Sequence, residues 1–172
     1  MADYERNRKL AFFALFLALA LILSYVESLI PFYMGVPGMK VGLTNLVVVV
    51  LLYLYGGKEA LLLNILRIIL AGLLFGNLFS IVYSLAGGLL SFCCMWILKK
   101  TKLFSVLSIS ITGGIAHNLA QNLVAAVVFQ NHSLLYYFPV LLAAGALCGG
   151  AIGAVAGQLL PRLEQILKQS NR

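Results

Sequence analysis

Along residues 10–160 the chain is a succession of long apolar runs, and its charged residues gather in short clusters at the ends of those runs. Few folds tolerate that pattern. About 20 apolar residues cross the ~30 Å hydrocarbon core of a bilayer as a helix, and inside that core the backbone amides must be satisfied within the protein. With 62% hydrophobic and 10% charged residues among 172, the composition also lies outside that of soluble globular domains. The sequence therefore predicts an all-α integral membrane protein, a single six-helix transmembrane domain covering residues 1–172.

The expected spans are 10–30, 42–55, 59–75, 78–98, 103–129 and 136–160, followed by a tail at 161–172. The first run is too long for the apolar region of a signal peptide and has no small-residue cleavage pattern after it, so it counts as a span. Placing the N-terminus in the cytoplasm puts Arg6, Arg8, Lys9, Lys58, Lys99, Lys100, Lys102, Arg162, Lys168 and Arg172 inside, with Lys40 outside. Such a bias follows the positive-inside rule and predicts both termini in the cytoplasm of a multi-pass cell-membrane protein. It also accounts for the net charge of +7 without nucleic acid, so the partner of this chain is the lipid bilayer. Cys93, Cys94 and Cys148 lie inside apolar runs without CxxC spacing, which fits small buried hydrophobes rather than disulfides or metal ligands.

Arg67 is the exception to this segregation. It stands eight residues from either end of 59–75, roughly 12 Å along the helix axis. A cation at that depth costs about 2.5–3.5 kcal/mol on insertion scales and is expected to face the bundle interior, where a carboxylate, carbonyl groups or a ligand can meet it. In the first span Ala11, Ala14 and Ala18 share one face, opposite Ala20, Ser24 and Glu27. The alanine face suits close approach by another helix, from this chain or from a partner. Glu27 is an ionisable group with Arg67 or Lys40 as its expected partner.

Prolines and glycines at 31–42 forbid a regular helix, so irregular backbone from Pro37 to Gly42 is expected to cap or line an outward pocket, with Thr44 and Asn45 starting the helix beneath it. The fourth span carries Ser80, Ser84, Gly87 and Ser91 on one arc beside Tyr83. In the fifth, His117, Asn118, Gln121 and Asn122 share a face with Ser110 and Gly114. The sixth repeats glycine at 145, 149, 153 and 157, a pattern for close helix packing. Beyond Pro161 a short amphipathic helix is expected on the inner surface. So many amides facing inward predict a polar cavity lined by Arg67, Asn64, Glu27, Asn45, Tyr83, Ser84, His117, Asn118, Gln121 and Asn122, with Lys40 at its mouth. One or two of these groups would suffice as interhelical hydrogen bonds, worth about 0.6 kcal/mol each on average.

Other chemistry is missing. The only aspartate is Asp3, and glutamates 27, 59 and 164 are scattered, whereas magnesium-dependent chemistry on a diphosphate needs clustered carboxylates. There is no Walker A loop, dinucleotide GxGxxG, HExxH or GxSxG string, so no cofactor and no resident metal are expected.

Tyr25-Val26-Glu27-Ser28, Pro37-Gly38-Met39-Lys40-Val41-Gly42-Leu43-Thr44-Asn45, Leu66-Arg67, Ser84-Leu85-Ala86-Gly87-Gly88, Gly113-Gly114-Ile115-Ala116-His117-Asn118-Leu119-Ala120-Gln121 and Pro139-Val140-Leu141 together resemble the Gx transporter family. Many of its members are labelled heptaprenyl diphosphate synthase component I. That family is in turn similar to the substrate-binding S components of energy-coupling factor (ECF) transporters, six-helix membrane proteins with both termini inside. The resemblance implies an S-component-like bundle that captures an anionic or polar small molecule from outside. Ala14-Leu15-Phe16-Leu17-Ala18 matches the AxxxA pattern by which S components meet a transmembrane coupling subunit, which works with ATPases. The family label implies instead a noncatalytic membrane subunit serving a soluble prenyl synthase in isoprenoid or quinone synthesis. The residue sets that mark riboflavin, thiamin or biotin S components are not found in this sequence. A tag fused to either terminus is expected to survive protease added outside intact cells; digestion of either tag would reverse the orientation.

Overall fold

The computed structural model describes residues 2–29 and 42–169; Lys40, the other residues of 30–41 and Arg172 lie outside them. Every regular element among the described residues is helical. In chain order these are α1 (Ala2–Leu29), α2 (Asn45–Leu54), α3 (Gly57–Phe75), α4 (Leu78–Thr101), α5 (Val106–Val128) and α6 (Phe138–Gln169), with a 3-10 segment at His132–Tyr137 before α6. Three stretches, Arg6–Leu29, Leu78–Thr101 and Leu135–Gln169, are long and apolar enough to cross a membrane, which makes this a membrane protein.

The shortest helix lies at the centre. All six residues from Val47 to Leu52 in α2 are buried, as expected of a helix that is apolar all round. Around it α3 and α6 pack closely and α1 more lightly, while α4 bridges α3 and α5. At ten residues α2 is about 15 Å long, shorter than the 42–55 run suggested. Residues 42–44 form a turn before it, and Gly42 takes a φ of 80°, a left-handed conformation that suits glycine.

The most intimate contact is between α5 and α6. A Cβ on Gly149 would stand 2.6 Å from the Ser110 carbonyl oxygen, one on Gly114 2.2 Å from that of Gly145, and one on Gly153 2.9 Å from Leu107 Cα. These are backbone-to-backbone approaches that only small residues allow. Gly157 departs from the expected pattern, because a Cβ there would meet nothing within 4 Å. Its place is explained differently. It precedes Pro161 by one helical turn, and proline removes the hydrogen bond its carbonyl would accept.

The helix does not stop at that proline. Instead of a separate tail helix, α6 runs unbroken through Pro161 to Gln169, and Leu163 packs against the core cluster. In α1, Ala20 and Glu27 are buried while Ala11, Ala14 and Ala18 are exposed. The alanine face is therefore turned away from the rest of this chain.

Basic residues collect at one end of the bundle. Lys99 Nζ donates to the Leu52 carbonyl at 2.5 Å and sits 4.9 Å from the Tyr53 ring centroid. Lys100 lies over Trp96 at 3.6 Å, and the same indole abuts Gly57. Arg8 acts electrostatically on Tyr55. Replacing Gly149 by alanine is expected to cost about 1–3 kcal/mol by forcing α5 from α6, whereas Gly157→Ala should be neutral or slightly stabilising; thermal unfolding in detergent distinguishes the two.

Candidate functional site

Arg67 is buried at the middle of α3, and among the described residues its hydrogen-bond partners are neutral amides. Its Nε and Nη2 donate to Asn64 Oδ1 at 3.1 and 2.9 Å, and Nη2 also donates to Asn45 Oδ1 at 3.2 Å. Asn64 lies one turn earlier on the same helix face. Its Nδ2 donates to the Gly88 carbonyl of α4 at 3.0 Å, which fixes the amide oxygen toward the guanidinium. Gly88 is needed there: a Cβ would come within 2.7 Å of Ile68 Cδ1 and 3.1 Å of Asn64 Nδ2. Among the described residues Arg67 Nη1 makes no hydrogen bond.

The carboxylate nearest in effect is Glu27. Its charge acts on Arg67 and on the Cys148 thiol, and its Oε1 accepts from the Gly42 N–H. One turn earlier on α1, Ser24 Oγ pairs with Thr44 Oγ1 at 3.1 Å. Three polar contacts thus hold the turn that starts α2: Glu27 with Gly42, Ser24 with Thr44, and Arg67 with Asn45.

The amide row of α5 divides in function. Asn118 Nδ2 donates to the Leu141 carbonyl of α6 at 2.8 Å, an interhelical bond of the structural kind. His117 and Gln121 face Gly87 of α4, where a Cβ would come within 2.9 Å of His117 Cε1 and 2.8 Å of Gln121 Cγ. Among the described residues, Gln121 Nε2, Asn122 Nδ2 and Ser91 Oγ are buried without a hydrogen-bond partner. Buried donors without acceptors are costly, so this row has unspent capacity. Tyr83 and Ser84 are buried, yet they share no hydrogen bond with Arg67, Asn64 or Asn45 among the described residues; Tyr83 stacks beside Phe79 at 5.5 Å. They belong to the packing of α4.

Two small cavities flank Asn45. One of about 20 Å³ is lined by Gly42, Asn45, His117, Asn118, Cys148 and Ile152 among others; the other, of about 10 Å³, reaches Ser91, Met95 and Ser110. Each has room for about one water, so the polar groups converge while the helices stand nearly closed around them. Cys148 and the Gly88 carbonyl are members that sequence reasoning missed. Nothing in an apolar run distinguishes one cysteine or one carbonyl before the helices are placed. Among the described residues no three His, Cys, Asp or Glu side chains group to hold a metal.

A helical membrane protein with a buried, cation-centred polar site is the class these features define. The family model for heptaprenyl diphosphate synthase component I matches residues 16–159, and the chain belongs to that family. No curated protein and no solved structure matches it. Asn64→Ala is expected to cost about 1–3 kcal/mol by taking an acceptor from the buried Arg67 guanidinium, while Asn64→Asp keeps an acceptor on the guanidinium and retains most of the stability. Equal melting temperatures for Asn64→Ala and wild type would show that Asn64 does not hold Arg67.

Proposed function

We propose that this chain is a noncatalytic membrane subunit that binds a small anionic or strongly polar molecule at Arg67 and hands it to a partner. One observation carries this: among the described residues, the hydrogen bonds of the buried guanidinium all go to neutral amide oxygens and Nη1 makes none. Ordinary structural arginines at membrane depth end on carbonyls or carboxylates that satisfy them. Gln121 Nε2 likewise has no hydrogen-bond partner among the described residues, and a ligand rich in acceptors would answer both. Glu27, Asn45, Asn64, His117 and Gln121 around Arg67, together with Lys40 from outside the described residues, form the proposed binding set; Asn118, Asn122, Tyr83 and Ser84 serve the frame around it.

In this reading the chain crosses the membrane six times, the 10 residues of α2 covering only part of one crossing. The 19 residues of α3 and 23 of α5 span about 28 and 35 Å, enough for the hydrocarbon core. The gathering of lysines and arginines at one end supports a cytoplasmic location for that end and for both termini. The family description supports a soluble prenyl synthase as partner, with this chain as the noncatalytic component that serves isoprenoid or quinone synthesis.

A second reading rests on a separate observation. Ala11, Ala14 and Ala18 are exposed on α1, and such a face supports docking to a transmembrane coupling subunit with its ATPases, as in an S component. Purification of the tagged chain from its native membrane in mild detergent separates the two. A co-purifying soluble prenyl synthase upholds the first partnership, and a coupling membrane protein with an ATPase pair upholds the second. For either, Arg67→Ala is expected to fold and to lose the small molecule that native mass spectrometry detects on wild type; retention of that molecule would remove the proposed site.

A further inference from the structure

We propose that the corner where α4 turns into α5 binds the phosphate of an anionic phospholipid through Lys100 and Lys102, with Trp96, Leu103 and Phe104 against the lipid's apolar part. Such binding does not depend on what Arg67 takes up and requires only that the chain lies in a bilayer. Residues 53–107 carry Lys58, Lys99, Lys100 and Lys102 at this end of the bundle, against one carboxylate, Glu59. The lysines are not equivalent. Lys99 is committed within the protein, where its Nζ donates to the Leu52 carbonyl. Lys100 and Lys102 are exposed, and Lys102 takes the left-handed conformation, φ 58°, that ends α4.

Lysines at the end of a bundle commonly face water, and two features set these apart. The first is depth. A helical side chain leans toward the N-terminus of its own helix, so Lys100 reaches back one turn, and its Nζ lies 3.6 Å from the Trp96 ring centroid. The ammonium therefore stands level with the indole, not beyond the helix end. Tryptophan favours the boundary between hydrocarbon and headgroups, and this ring is held against Gly57 at the start of α3. The second feature is what surrounds the charge. Ile97, Leu103, Phe104 and Leu107 expose 57%, 83%, 47% and 44% of their surfaces, so apolar side chains flank the lysines on α4, on the turn and on α5. An acidic soluble protein would bring charge and water to such a corner. A phospholipid brings an anion and hydrocarbon together, and the corner offers a contact for each.

Trp96 is the one tryptophan in the sequence, so its fluorescence reports on this corner in the unaltered chain. The full chain is reconstituted into phosphatidylcholine bilayers, and brominated phosphatidylglycerol or brominated phosphatidylcholine is added at equal low mole fraction as quencher. Both leaflets carry the same lipids, so the direction of insertion does not matter. Brominated phosphatidylglycerol is expected to bind the corner about fivefold more strongly, the effect of roughly one lysine at an anionic headgroup, and to quench correspondingly more. That preference is expected to disappear in the double variant Lys100→Gln, Lys102→Gln and to shrink in about 1 M salt. Equal quenching by the two lipids in the wild type overturns the proposal and leaves an acidic protein surface as the occupant these lysines fit. Absence of quenching by either lipid overturns it too, because the indole is then out of reach of acyl chains. A preference that survives the double substitution removes the assignment to these lysines. Inorganic phosphate that abolishes the preference at matched ionic strength would make the site one for free anions and not for lipid. Should the double variant not fold, the wild-type comparison decides alone.

Discussion

A guanidinium sealed among helices must be given hydrogen-bond acceptors, and this chain supplies them from two directions. Asn64 approaches from the same helix and Asn45 from the central one. Asn64 is itself anchored to the Gly88 carbonyl, so α2, α3 and α4 are linked through one cation. Amide oxygens hold the guanidinium without cancelling its charge. In the proposed function that charge, opposed in part by Glu27, is what an incoming anion meets.

The rest of the bundle keeps this arrangement dry and close. Burial of α2 on all sides puts its first turn, and with it Asn45, at the level of Arg67. The glycine contacts of α5 with α6, and of Gly87 and Gly88 with residues of α5 and α3, let backbones approach so that the amide row points inward. In lipid the hydrophobic effect does not drive helices together, so such close packing and interhelical hydrogen bonds must do so. Stability and the polar site thus draw on the same small residues.

The family description names one component of heptaprenyl diphosphate synthase, and in the proposed function this chain serves that assembly by binding a small molecule. The turn 42–45 is the part best placed to respond to a ligand. Its contacts with Glu27, Ser24 and Arg67 are all polar, and an anion on the guanidinium would compete with Asn45 for Nη2.

Periodicity and charge placement made much of this legible in the residues alone. Apolar runs located the six helices, and the 100° spacing assigned Glu27 and the alanines to opposite faces of α1. The cost of a buried cation marked Arg67 as a centre. Other features required the helices to be placed together. Asn118 and Gln121 look alike along the chain, yet one bonds to Leu141 while the other's amide nitrogen finds no acceptor among the described residues, because that depends on which helix lies opposite. Gly157 repeats the spacing of Gly145 but has no neighbour, since helices that cross at an angle touch over a limited length. Pro161 carried a local signal to stop, and packing of Leu163 against the core overrode it. Local spacing fixes which face a side chain occupies; only the crossing of helices decides what that face meets.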